Sequence, residues 1–172
     1  MVLDADETLL DNSTYQNERA ARGEGYSMQS WTAWVKRREA AAVPGAIAFT
    51  KHVHEVGGVV AVVTNRSDAE CPDTKANLQA LGVVYDVVLC RPDAGTWDKR
   101  PRYRALASGK AGIMPAEIVA YVGDNIQDFP GLNQQVRHRS DAAFRDFGMR
   151  FFVIPNPMYG SWERHAPHQP EG

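Results

Sequence analysis

Five short runs of Val, Ile and Leu constrain this chain more than any other feature. They are Val2–Leu3, Val59–Val63, Val87–Leu89, Ile118–Val122 and Phe151–Ile154. None alternates apolar with polar residues. Continuous apolar runs of this length suit parallel strands covered on both faces. Between them lie helical patterns. Pro44 opens one, with Ala46, Phe49, Val53 and Val56 on one face and Gly57–Gly58 as its stop. Pro72 opens the next, with Leu78 and Leu81 on one face and Gly82 as its cap. A third spans about Arg100 to Lys110. Strand and helix alternating in this way predict an α/β fold: a doubly wound, mainly parallel five-stranded sheet.

One connection is too long. More than fifty residues separate the first run from Val59, and only those from Pro44 onward are the expected crossover helix. Residues 12–43 read as a small, mainly helical insertion after strand one, in which Trp31, Trp34, Val35 and Arg38 share a helical face. Insertions directly after a strand's C-terminal end tend to build over a ligand site. Of the pair, Trp34 is expected in the core and Trp31 at the site. Residues 1–164 are expected to form one domain and 165–172 a loose polar tail. Only Met1, Val2 and Leu3 precede the first acid, short of the ~5–6 residues of an ordinary strand. Further sequence upstream of Met1 is therefore expected.

The charge balance is nearly even, 19 Lys and Arg against 21 Asp and Glu. It gives no electrostatic reason to expect nucleic acid or an anionic membrane as partner. No apolar stretch approaches the ~20 residues of a membrane helix. His52 and His54 stand at i and i+2 in a helical pattern, facing apart, and read as surface residues. The basic stretch RHRSDAAFRDFGMR reads as a solvated helix face. HAPH, at 165–168, is a second histidine pair that could bind a metal. Cys71 and Cys90 are the only cysteines. Two buried thiols are the first reading. A single disulfide is the alternative, since both residues fall at the same sheet edge.

In open α/β sheets, ligands bind beyond the C-terminal ends of the strands. The residues directly after each run are therefore informative. Asp4, Asp6 and Thr8 come after the first; Thr64, Asn65 and Arg66 after the second; Gly123, Asp124, Asn125 and then Asp128 after the fourth. Asp98, Lys99 and Arg102 stand at the start of the third helix. Carboxylates, a hydroxyl and cations converging on one rim suit phosphoryl transfer with a hard divalent metal. Mg²⁺ takes oxygen ligands, only a few of them carboxylates, and keeps places for water and phosphate. In an extended strand Asp4 and Asp6 project to the same side. One carboxylate serves as nucleophile; the other protonates the leaving alkoxide and then deprotonates water.

VLDADETLLDN, VVTNRSD, DKRPR and YVGDNIQDF resemble the four motifs of the haloacid-dehalogenase (HAD) superfamily. WTAWV followed by AVPGA, then ANLQALGV and FFVIPNPMYGSWE, resemble the class C, or subfamily IIIB, acid phosphatases. The likeness runs to Glu163. It implies a HAD-like fold and an Mg²⁺-dependent acid phosphatase. Such an enzyme hydrolyses small phosphomonoesters, 5′-nucleotides among them, through an aspartyl-phosphate, with an acidic pH optimum.

Carried over by position, the resemblance implies that Asp4 is the nucleophile and Asp6 the general acid/base. Asp4, Asp6 (through its carbonyl) and Asp124 hold the metal, with Asp128 behind its water shell. Thr64, Asn65 and Lys99 bind phosphate. Trp31 and Tyr159 stack on a nucleobase; Arg66, from its place directly after Thr64 and Asn65, is expected to contact substrate. The resemblance also suggests a periplasmic or secreted location if a signal precedes these residues, and a cytoplasmic one otherwise. A homo-oligomer is left open. The competing readings are a non-catalytic phosphate-binding or storage protein, and a HAD phosphatase or phosphotransferase acting on sugar phosphates.

Overall fold

A computed structural model describes residues 1–164. The loose tail expected at 165–172, and the HAPH segment with it, lie outside the described residues. The strands are β1 (Val2–Leu3), β2 (Leu10–Asp11), β3 (Ala41–Ala42), β4 (Ala61–Ser67), β5 (Val87–Arg91), β6 (Tyr121–Gly123) and β7 (Phe151–Val153). The α-helices are α1 (Ser13–Ala21), α2 (Met28–Arg37), α3 (Ala46–Glu55), α4 (Cys71–Leu81) and α5 (Arg100–Ala107). Five strands make one parallel sheet in the order β5-β4-β1-β6-β7. The chain winds outward from β1 in both directions, so the switch point lies at the central strand, just before Asp4.

The apolar runs explain the two-sided core. Successive residues of a strand face opposite sides. Leu3, Val60, Val62 and Val122 pack on one face with Leu78 and the insertion's Trp34 and Val35. Val2, Ala61, Val63 and Tyr121 pack on the other with Tyr103, Leu106, Phe129 and Phe151. The expected face of α3 is only half right. Ala46 and Val53 are buried, but Thr50 completes the inward stripe, whereas Phe49 and Val56 are exposed. Thr50 satisfies its hydroxyl within its own helix by donating to the Ile47 carbonyl, so it packs inside without an orphaned polar group.

The insertion is built of α1 and α2, closed at its base by an antiparallel pair, Leu10 with Ala42 and Asp11 with Ala41. Ser27 caps α2 in a reciprocal box with Ser30. Trp34 and Val35 are buried, Trp31 half-buried and Arg38 exposed. The basic stretch near residue 140 holds two short 3₁₀ segments, Gln134–His138 and Asp141–Phe144, in place of the expected helix face. Asn133 caps the first segment, its side chain accepting the Gln135 N–H, and Ser140 starts the second; such side chains favour caps and turns over continued helix.

Cys71 and Cys90 are bonded, correcting the first reading of two free thiols. Cys71 begins α4, one 3₁₀ turn (Asp68–Glu70) after β4, and Cys90 lies on the neighbouring β5. Their Cα atoms are 5.9 Å apart, within reach of a bridge.

Candidate active site

The first strand ends early. After Leu3 the chain turns rather than extends: Leu9 and Leu10 donate to the Ala5 carbonyl, and Glu7 donates to Leu10. Glu7 takes φ of 54°, in the left-handed region uncommon for a non-glycine residue. The same-side projection expected of Asp4 and Asp6 assumed a continuing strand. The turn instead sends their side chains into two different settings.

Asp4 lies in an acidic cluster. One carboxylate oxygen each of Asp4, Asp124 and Asp128 lie within 4.8 Å of one another. Lys99 reaches in from the residue before α5, with Nζ 2.6 Å from Asp4 Oδ1 and 2.7 Å from Asp128 Oδ1. The contact with Asp128 is a hydrogen bond. That with Asp4 is a close charge contact without hydrogen-bond alignment, so Asp4 Oδ1 is buried with no hydrogen-bond partner among the described residues.

The Asp128 carboxylate also accepts the Asn125 N–H at 2.9 Å, and its backbone carbonyl accepts from Tyr103. It packs directly over Gly123, where a Cβ would collide with it, so glycine is required there. Asn156 donates to Asp124 at 2.9 Å.

Burial and like charge act together here. Burial first, then the neighbouring carboxylates, push Asp4 well above the usual range against the pull of Lys99. Asp124 is pushed up to about 7 by burial and by Asp128. For Lys99, burial opposes the charge, but Asp128 and Asp4 outweigh it and hold the ammonium firmly protonated. One lysine thus faces three carboxylates.

Asp6 turns toward cations and amides. Arg66 Nε lies 3.0 and 3.2 Å from its two oxygens and a terminal guanidinium nitrogen 2.7 Å from Oδ1. Asn12 Nδ2 adds a bond of 2.9 Å. The Arg66 side chain is 1% exposed, and its remaining donors reach Thr74 and Asn12. The Trp31 ring lies beneath its guanidinium, 5.4 Å from centroid to Cζ, and meets Tyr15 edge-on. Arg66, expected to meet substrate, therefore has its donors engaged inside the protein. A register shift between Val63 and Ser67 explains this aim. Bulges re-direct side chains beside sites, and here the irregularity spans Thr64, Asn65 and Arg66.

Thr64 is fully buried, and its Oγ1 accepts the Arg66 N–H at 3.1 Å. Arg102 donates to the Thr64 carbonyl and, at 2.6 Å, to Asn65 Oδ1. The Asn65 amide donates to the Trp97 carbonyl at 3.0 Å. Tyr159 arrives from the far end of the chain and donates its hydroxyl to Glu7 Oε1 at 2.8 Å. Burial first, then the acids around it, keep this phenol protonated.

Sequence reasoning missed Glu7, Asn12 and Asn156. Glu7 and Asn12 lie inside or beside the first motif, where Asn12 read only as the edge of the insertion. Asn156 lies in PNPMYG, where Tyr159 drew attention first.

Three carboxylates beside a buried lysine, at the C-terminal rim of a parallel sheet, form a donor set that could hold a hard cation. The donor set is all oxygen, and its excess negative charge and orphaned Asp4 oxygen fit a divalent metal. The model of the HAD superfamily, subfamily IIIB (acid phosphatase), matches residues 1–162. This chain belongs to that family, and its function is phosphomonoester hydrolysis.

The class C acid phosphatase from Bacillus anthracis is 33% identical. The match covers 95% of this chain and 68% of that one, with a TM-score of 0.79. The same enzyme with tungstate bound gives 32% identity, the same coverage and a TM-score of 0.80. A D,D-heptose 1,7-bisphosphate phosphatase from B. bronchiseptica, complexed with magnesium and phosphate, shares the fold at 16% identity. It covers 88% of this chain and 90% of that one, with a TM-score of 0.50. No helix among the described residues is long and apolar enough to cross a membrane.

Proposed function

We propose that the protein is a Mg²⁺-dependent acid phosphatase that hydrolyses small phosphomonoesters in two displacements through Asp4. The observation that supports this most is the division of the two acids. Asp4 lies among carboxylates beside Lys99, whereas Asp6 is gripped by Arg66 and Asn12.

Asp4, Asp124 and the Asp6 carbonyl would hold the metal, with Asp128 supporting its surroundings. The bound cation supplies positive charge that keeps Asp4 ionised and offsets the charge of the phosphate. Lys99 and the hydroxyl of Thr64 bind the phosphoryl oxygens, and Asn65 holds the loop that carries Thr64. The Asp4 carboxylate attacks phosphorus, and the bond from phosphorus to the ester oxygen breaks. Asp6 gives its proton to the departing alkoxide. The resulting Asp6 carboxylate takes a proton from water, whose oxygen attacks phosphorus. The Asp4–phosphate bond breaks and inorganic phosphate leaves.

Release of the alcohol needs Asp6 protonated, which favours an acidic optimum. Trp31 and Tyr159 are the aromatic surfaces offered to the leaving group, which suits a nucleoside 5′-phosphate. Tungstate, held by the Bacillus anthracis enzyme, is a tetrahedral oxyanion of phosphate shape and is consistent with this site. The disulfide fits a protein that folds in an oxidising compartment.

Assay of p-nitrophenyl phosphate with Mg²⁺, and again with EDTA, tests the proposal. Turnover is expected with the metal and none with the chelator. A well-folded protein that binds phosphate but turns over no ester with any divalent metal would instead be the binding or storage protein.

A further inference from the structure

We infer that Asn12, oriented by Trp34, is a positioning residue that aims the Asp6 carboxylate for proton transfer; this rests on the acid/base role proposed for Asp6. Asn12 is fully buried and stands where the first motif runs into the insertion. Its amide is saturated. Oδ1 accepts from Trp34 Nε1 at 2.8 Å and from Arg66 at 3.3 Å. Nδ2 donates to Asp6 Oδ1 at 2.9 Å and to Glu7 Oε1 at 3.0 Å.

An asparagine amide has two orientations that shape alone does not separate, so its partners decide. An indole N–H and a guanidinium only donate. The Asn12 oxygen must therefore face Trp34 and Arg66, and its NH₂ must face the two carboxylates. No alternative flip satisfies the set. Trp34 thereby acts on Asp6 through a single intermediate residue.

The rest of the frame is closed. Glu7 also accepts the Asn12 backbone N–H at 3.2 Å and the Tyr159 hydroxyl. Asp6 is thus held on one side by the guanidinium of Arg66 and on the other by an amide whose direction the insertion dictates. Of the three bonds from Arg66 to Asp6, two reach Oδ1 and one reaches Oδ2. The neutral, directional bond from Asn12 adds a third donor to Oδ1, which leaves Oδ2 the less engaged oxygen and the one to face the ester. Small misplacements of a proton donor cost large factors in rate.

The test uses the dependence on leaving group. A poorly placed acid matters most when the departing alkoxide is strongly basic. With Mg²⁺ present, kcat/KM is measured for p-nitrophenyl phosphate and for a simple alkyl phosphate, in the parent protein, Asn12→Ala, Trp34→Phe and Asp6→Asn. A positioned general acid contributes about 10²–10⁴ in rate. Asn12→Ala is expected to lose about 10-fold on the aryl ester and about 100-fold on the alkyl ester. Trp34→Phe, which keeps an aromatic ring and removes the N–H, is expected to lose about 2-fold and about 10-fold.

If Asn12→Ala fails to fold, Trp34→Phe decides alone. Equal losses on both esters in the folded variants, with a strongly unequal loss in Asp6→Asn, would overturn the positioning role and leave Asp6 as the acid. Equal losses in Asp6→Asn itself would remove the acid/base reading, and the inference with it.

Discussion

Asp4 and Asp6 are two residues apart, yet the fold gives them opposite company. Asp4 meets two further carboxylates and one lysine; Asp6 meets an arginine and an amide that it shares with Glu7. The cause is the turn after Leu3, which sends one side chain toward β6 and α5 and the other toward β4 and the insertion. Two chemically identical groups acquire different functions when one setting concentrates negative charge and the other supplies donors. The first setting has a charge excess that a cation would relieve. The second is already balanced within the protein.

The largest effect expected from breaking this contrast is on the Asp4 side. Asp4→Asn removes the nucleophile and should lower kcat by roughly 10⁴-fold or more. The fold should survive, because the variant removes a buried charge that its surroundings oppose; thermal unfolding and steady-state kinetics measured on the same sample separate the two. Arg66→Met tests the other side. It leaves Asp6 without its cation and should destabilise the protein by about 3 kcal/mol. Urea unfolding reads this directly, and an unchanged midpoint would mean that the ion pair contributes nothing net.

Removing both cysteines, as Cys71→Ala with Cys90→Ala, releases a loop closed over 19 residues. It should cost about 3 kcal/mol by chain entropy, with the reduced parent protein falling to the same midpoint.

The pH dependence of the metal-free protein is a finer test. Burial and the neighbouring Asp128 push Asp124 up to about 7 in the folded chain, from the ordinary 3.8. Between those values the native state therefore binds more protons than the unfolded one, and stability falls as pH rises through the window. Without metal, the midpoint of thermal unfolding should decline from pH 4 to pH 7. Saturating Mg²⁺ should flatten or reverse the trend, since binding competes with those protons. A metal-free protein that gains stability over the same range would contradict the charge excess assigned to the Asp4 cluster.

The smallest effect concerns the substrate's far end. Trp31→Ala should raise KM about 5-fold for a nucleoside 5′-phosphate, in line with the loss of about 1 kcal/mol of stacking, and leave that for a small alkyl phosphate nearly unchanged. Equal changes for both would return Trp31 to a packing role under Arg66.

Much of the fold was legible in the sequence because continuous Val and Ile runs suit only a sheet buried on both faces. The carboxylates were legible because acids placed directly after such runs fall at the strand ends. Other features were harder to read. Phe49 looked like core and is exposed, while Thr50 is buried; a helix face depends on what packs against it, and a hydroxyl bonded within its own helix costs little to bury. Arg66 looked like a substrate contact because it comes directly after Thr64 and Asn65. Its actual partner is decided by a register shift that no local pattern announces. Asn12 looked like a boundary, since its four partners come from residues 6, 7, 34 and 66.

By itself the sequence determined the parallel sheet, the order of its elements and the acids at its rim, because each arises from local periodicity and position along a strand. Only the tertiary structure decided that Asp4 joins the acidic cluster while Asp6 pairs with Arg66, that the two cysteines bond, and that Trp34 reaches the site through Asn12. Those outcomes depend on which distant side chains meet once the chain turns after Leu3, and hydrogen-bond direction and charge then select the partners.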